Sequence, residues 1–190
     1  MATRLGVWDD FWTNRSSLEH DGTIMNAVEF LKAPGINTVE DWGCGVCILK
    51  KYLKADQTYI GIDGSDTKYQ SLVADLTTYK SKVDAIFMKH VLEHNVQWEP
   101  ILRNMLESFT KRCVLILFTP FSQETHCLNT AAYIHSNKNG EIVNIPDLSF
   151  KKTDLTDIIN SYKDISFEYE TIASPKTVYQ IEHIFYLEKK

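Results

Sequence analysis

Along most of the chain, short apolar runs alternate with segments whose apolar residues recur every three or four positions, the pattern of parallel strands joined by crossover helices. Ile24, Ala27, Val28 and Leu31 predict a first helix that begins near Gly22, and Pro34-Gly35 stops it before the run Ile36 to Trp42. A glycine turn follows. Ile48, Leu49, Tyr52 and Leu53 then predict one apolar face of a second helix, with Lys50, Lys51 and Lys54 toward water. Thr58 to Asp63 is rich in β-formers and ends on a carboxylate, and Val83 to Met88 predicts a mostly buried strand. Trp98, Ile101, Leu102, Met105 and Phe109 follow at helical spacing, and Val114 to Phe118 reads as a central strand ended by Thr119-Pro120.

After Pro120 the pattern changes. The polar stretch Ser122 to Asn144 has no sustained periodicity, so residues 121–145 are expected to form a surface excursion of the kind that carries substrate loops. Asp154 to Ile159 predicts a short helix. Two β-rich runs, Ile165 to Ile172 and Thr177 to Leu187, flank Ala173-Ser174-Pro175-Lys176 and read as an antiparallel pair.

With 190 residues, 44% of them hydrophobic and 24% charged, the chain fits one globular domain over residues 1–190. A net charge of −5 without a Lys/Arg stripe disfavours nucleic acid as a partner. The N-terminus lacks the basic and apolar regions of a signal peptide, and no apolar stretch approaches the roughly 18 residues of a membrane span. A soluble, cytoplasmic protein without membrane contact is expected. The four cysteines suit a reducing compartment; Cys44 and Cys47 form a C-x-x-C pair, but no second pair exists to complete a zinc site.

The chemistry begins at Asp41-Trp42-Gly43-Cys44-Gly45, a glycine turn between a strand and a helix start, where the backbone can pass close to a ligand and free amides can face it. The third glycine of a dinucleotide fingerprint is absent, since Ile48 stands at that position; this disfavours a nicotinamide oxidoreductase. Asp63 lies 20 residues after Gly43, at the end of the next strand, where a carboxylate can accept from both hydroxyls of a ribose. Asp75 follows at a spacing that suits a loop over adenine.

Together these motifs resemble, in order, those of the class I S-adenosylmethionine (SAM)-dependent methyltransferases of the small-molecule type. Asp41 to Gly45 resembles the first motif, Gly61-Ile62-Asp63-Gly64-Ser65 the ribose motif, and Ala74-Asp75-Leu76 the adenine loop. Asp84 to Phe87, with His90-Val91-Leu92-Glu93-His94, resembles the fourth strand and the helix after it. The likeness covers residues 22 to 120, with the terminal hairpin matching by architecture; Cys47 departs from it, because the family usually has glycine there. It implies an α/β, Rossmann-like, doubly wound sheet of seven strands in the order 3-2-1-4-5-7-6, with the seventh antiparallel. It implies SAM as cofactor, held by Asp41, Gly43, Cys44, Gly45, Asp63, Gly64, Ser65, Asp75, Leu76 and Met88.

His90, just after the fourth strand, is the candidate base; the alternatives are a helix cap or a backbone contact to the cofactor. Glu-His pairs like Glu93-His94 bind a divalent ion in some relatives, with His126 in place to complete the set, but relatives without metal carry the same residues, and no metal is expected. The aromatic segment Val7 to Trp12, within a candidate lid over residues 1–21, can fold over SAM or simply pack on the domain. His135 and His183 read as surface and strand histidines. The leading expectation is methyl transfer from SAM to an oxygen or nitrogen of a small polar acceptor, a metabolite or sugar. A non-catalytic SAM-binding regulatory or partner protein and an RNA methyltransferase are the alternatives. Oligomeric state is not fixed by the sequence.

Overall fold

The structure, a computed structural model, describes residues 5–14, 22–137 and 139–190. In chain order the elements are α1 (Asp9–Thr13), α2 (Gly22–Leu31), β1 (Thr38–Trp42), β2 (Thr58–Asp63), β3 (Leu72–Val73), β4 (Val83–Lys89), α3 (Trp98–Ser108), β5 (Phe109–Leu117), β6 (His126–Ser136), β7 (Ile142–Ser149), α4 (Lys152–Ser161), β8 (Ile165–Ala173) and β9 (Ile181–Lys189). Seven strands form one sheet in the order β3-β2-β1-β4-β5-β9-β8, and β6 pairs with β7 in a separate ribbon. β1 to β5 are mutually parallel, while β9 is antiparallel to both β5 and β8. With the ribbon set aside, this is the expected order with its reversed strand.

Successive strand residues point to opposite faces, and the apolar residues divide accordingly. Trp42, Ile62, Ile86, Met88, Leu115 and Phe185 pack with α3 and α4. Val39, Ala85, Phe87, Val114, Ile116 and Ile184 pack with α2. Both faces of the central strands are covered, which is why those strands read as almost unbroken apolar runs. From β1 the chain runs outward to β2 and β3, then crosses back to β4, so the strand order reverses between β1 and β4. The carboxyl ends of these two strands bound the crevice where ligands bind in such sheets.

Three expectations are corrected. The helix expected after the glycine turn is only a 3-10 turn over Ile48–Lys51. Fifteen residues join Trp42 to Thr58; the glycine turn and a return turn, Gln57 N–H to Lys54 C=O at 3.1 Å, consume most of them and leave too few for an α-helix. Its apolar face is as expected, with Leu49 buried and Ile48, Tyr52 and Leu53 partly buried beside α2. β5 begins at Phe109, directly after α3, because Phe109 already pairs with Val83. The stretch read as an irregular excursion is an antiparallel ribbon: His126 pairs with Ser149 and Ser136 with Ile142. Its outer strand β6 is largely exposed, so burial imposes no alternation on its sequence. Among the described residues, no helix is long and apolar enough to cross a membrane.

Candidate functional site

At the end of β1 the chain turns over the end of β2, because the amides of Gly43 and Cys44 both donate to the Ile62 carbonyl, at 2.7 and 3.1 Å. Gly43 has φ 76°, and a Cβ there would stand 2.3 Å from a methyl group of Val91, so space and backbone angle both demand glycine. Gly45, at φ 50°, donates its amide to Asp63 Oδ2 at 2.9 Å. Asp63 Oδ1 accepts the Ser65 amide, also at 2.9 Å. One buried carboxylate thus ties the glycine turn to the loop after β2; burial raises its pKa, and the amides of Gly45 and Ser65 oppose that rise. Ser65 Oγ, beside it, is buried and has no hydrogen-bond partner.

The N-terminal segment lies over this corner. Gly6 donates to the Gly64 carbonyl at 2.7 Å, and Asp9 Oδ1 accepts the Asp66 amide at 2.7 Å. Carbons of the Trp12 ring come within 2.9 Å of a Cβ built on Gly45. Trp8 reaches across to His94, Tyr133 and His135, with ring centroids 5.4, 5.1 and 5.0 Å away, and Phe11 meets Tyr133 and His135. The aromatic segment therefore joins the ribose-motif loop to the β6–β7 ribbon. His135 is part of this ring cluster rather than a surface histidine, and burial lowers its pKa. Residues 1–4 and 15–21 of the candidate lid lie outside the described residues.

The remaining expected cofactor residues divide. Asp41 is buried at the end of β1, accepts the Tyr59 hydroxyl at 2.8 Å, and is pushed by burial to a pKa of about 8. Asp75 is exposed, and its Oδ1 accepts the amide and hydroxyl of Thr77 at 2.9 and 2.7 Å, an Asx turn of its own. Leu76 and Met88 belong to the core on the α3 and α4 face, with Met88 fully buried.

His90 leaves β4 at φ 58°, a conformation uncommon for a residue with a Cβ, while its amide remains anchored to the Ile116 carbonyl at 2.9 Å. Its Nε2 lies 2.5 Å from Oε1 of Glu182, which also pairs with Lys89. Glu182 sits near the start of β9, and that strand's antiparallel direction brings its start to the carboxyl edge of the parallel strands. Burial raises the Glu182 pKa, but the His90 hydrogen bond and the Lys89 charge outweigh it and hold the value at about 2. The Phe118 ring lies 4.7 Å from that of His90 and 5.4 Å from that of His94. In the sequence Glu182 is marked only as a carboxylate inside the largely apolar run Ile181–Leu187.

Glu93, His94 and His126 do not converge. Glu93 Oε1 accepts the Phe118 amide, and burial pushes this carboxyl to about 7. His94 Nδ1 faces the Pro146 carbonyl at 3.1 Å and Asp147 at 3.3 Å, whereas His126 is exposed and turns to the Glu124 carbonyl. Among the described residues, no three His, Cys, Asp or Glu side chains are grouped to hold a metal ion.

The sequence matches no family model and no curated protein. Solved structures do match. The magnesium protoporphyrin IX methyltransferase of Synechocystis PCC 6803 with bound S-adenosylhomocysteine has a TM-score of 0.64 at 17% identity, over 95% of this chain and 92% of that one. The Burkholderia thailandensis 1,6-didemethyltoxoflavin-N1-methyltransferase, with 1,6-didemethyltoxoflavin and S-adenosylhomocysteine bound, gives 0.62 at 12% identity over 95% and 81%. The N-terminal domain of EvdMO1 with S-adenosylhomocysteine and D-fucose gives 0.58 at 12% over 91% and 84%. The fold is that of the class I SAM-dependent methyltransferases.

Proposed function

We propose that the protein is an enzyme that binds S-adenosylmethionine around Gly43, Gly45, Asp63 and Ser65 and transfers its methyl group to an oxygen or nitrogen of a small polar acceptor, a metabolite or a sugar. The observation that carries this reading is the Asp63–Ser65 corner. Ser65 Oγ is buried without a partner, and each Asp63 oxygen takes one amide and has capacity for a second donor. A buried hydroxyl left unpaired costs on the order of 1–3 kcal/mol, which a ribose hydroxyl would offset. The positive-φ glycines shape the turn beside this corner, and Trp8, Phe11 and Trp12 offer aromatic faces that suit a cation. The proteins of like fold named above carry S-adenosylhomocysteine, and two of them a small molecule as well.

SAM, when bound, supplies a methyl group already activated by its sulfonium. The chain's own residues have then to orient the acceptor, exclude water and take a proton. His90 is assigned the proton. Glu182 acts through it: its carboxylate fixes the imidazole tautomer with Nε2–H toward Oε1 and stabilises the imidazolium. The aromatic segment over the ribose-motif loop shields the site from water.

Calorimetric titration with SAM, S-adenosylhomocysteine and NAD, repeated on Asp63→Asn, tests the cofactor assignment. The two SAM-series ligands should bind to the parent, NAD should not, and the variant should lose at least tenfold in affinity. Binding of NAD alone, or of none of the three, overturns the proposal. Turnover with a panel of small hydroxylated and amine acceptors then tests the transfer itself.

A further inference from the structure

Cys44 and Cys47 enclose Gly45 within the glycine turn, and the proposed methyl transfer uses neither thiol. Two features bring their sulfurs together. The Cys47 amide donates to the Cys44 carbonyl at 2.7 Å, closing a four-residue turn that holds the two Cα atoms within roughly 7 Å, about the span a disulfide bridges. Both Sγ atoms fill the space left by one glycine: a Cβ on Gly61 would stand 2.9 Å from that of Cys47 and 3.0 Å from that of Cys44. Both cysteines are free.

We propose that Cys44 and Cys47 form an oxidation site, closing to an intramolecular disulfide when the protein meets a peroxide. In the first step the Cys47 sulfur attacks one peroxide oxygen; the O–O bond breaks, hydroxide departs and takes up a proton as water, and Cys47 becomes a sulfenic acid. In the second the Cys44 sulfur attacks the sulfur of Cys47; the S–S bond forms, the S–O bond breaks, and the hydroxyl leaves as water with the Cys44 proton. Two thiols lose two electrons, and one peroxide becomes two waters.

The order of attack is set by the surroundings. The neighbouring Cys44 thiol brings Cys47 down to about 7 despite burial, whereas Cys44 is pushed up by the same neighbour and by burial, so Cys47 supplies the thiolate. Both are 8% exposed, whereas Cys113 is fully enclosed and Cys127 is exposed. Closure has a structural consequence, because Cys47 Sγ, as a thiol, donates to the Tyr69 carbonyl at 3.1 Å. The disulfide removes that proton and with it one bond between the glycine turn and the loop after β2, while the Asp63 tie remains.

The test treats the native protein with hydrogen peroxide, alkylates the remaining thiols and maps tryptic peptides by mass. Residues 33–50 hold both Cys44 and Cys47, and residues 113–138 hold Cys113 and Cys127. The expected result is a loss of about 2 Da confined to peptide 33–50, reversed by dithiothreitol and absent in Cys44→Ser and Cys47→Ser. Amides of residues 67–71 should exchange faster in the oxidised protein. A peptide 33–50 that stays doubly alkylated, a bridge between two molecules, or a disulfide that forms only in urea overturns the proposal. None of these readouts depends on SAM, so the outcome is separate from that of the methyl-transfer reading.

Discussion

Asp41 keeps a proton that an ordinary aspartate would lose. Its pKa in the folded protein is about 8, against roughly 4 in an unfolded chain, so between those values the native state binds a proton the unfolded state has released. The stability contributed is fully present below about pH 4 and is lost as pH rises through 8. Asp41→Asn keeps an acceptor for the Tyr59 hydroxyl and removes the titration. Thermal unfolding should show the variant gaining on the parent near pH 8 but not near pH 4; equal gains at both would mean that Asp41 is ionised in the fold. His183 works the other way. Burial lowers it to about 4, so its contribution is complete above roughly pH 6.5 and is lost as pH falls through 4. If His90 takes the proton as proposed, Glu182→Gln should lower kcat roughly 10–100-fold and alter the pH profile while leaving the KM for SAM nearly unchanged. A KM effect alone would assign Glu182 to binding. The motif residues near this site, Gly43, Gly45, Asp63 and His90, were legible because backbone angle, strand end and residue type constrain them locally. Glu182 was not, since only the pairing of β9 with β5, some 70 residues apart in the chain, brings it to His90.

Elements extend the contrast. The strands were readable because burial on both faces leaves a continuous apolar run, whereas the connections after β1 and β2 were not, their form being set by the number of residues available between strand ends. Gly43 and Gly35 separate two costs at such connections. Both have positive φ, 76° and 82°, but a Cβ on Gly35 meets nothing within 4 Å while one on Gly43 meets Val91 at 2.3 Å. Gly35→Ala should therefore cost about 1 kcal/mol, the backbone penalty alone, and Gly43→Ala substantially more. Val91→Ala combined with Gly43→Ala should recover part of the difference in urea unfolding, and simple addition of the two single effects would refute the clash.

At the scale of the molecule, the N-terminal segment and the β6–β7 ribbon meet over the carboxyl edge of a sheet whose helices guard its two faces. Removing residues 1–14 should raise amide exchange at Asp66, whose N–H is held by Asp9, while leaving that of β4 and β5 unchanged; protection at Asp66 that survives the deletion would mean α1 does not hold this loop. The ribbon was the part of the fold least visible in sequence, because an exposed strand needs no alternation. The strand beside β5 has a different history. β9, the last strand in chain order, is wedged between β5 and β8, so on a ribosome the first five strands can assemble while a gap beside β5 stays open. Glu182 arrives with the strand that fills it. A nascent chain thus holds Lys89 and His90 without their carboxylate, and the candidate catalytic centre comes into being only as the sheet is sealed.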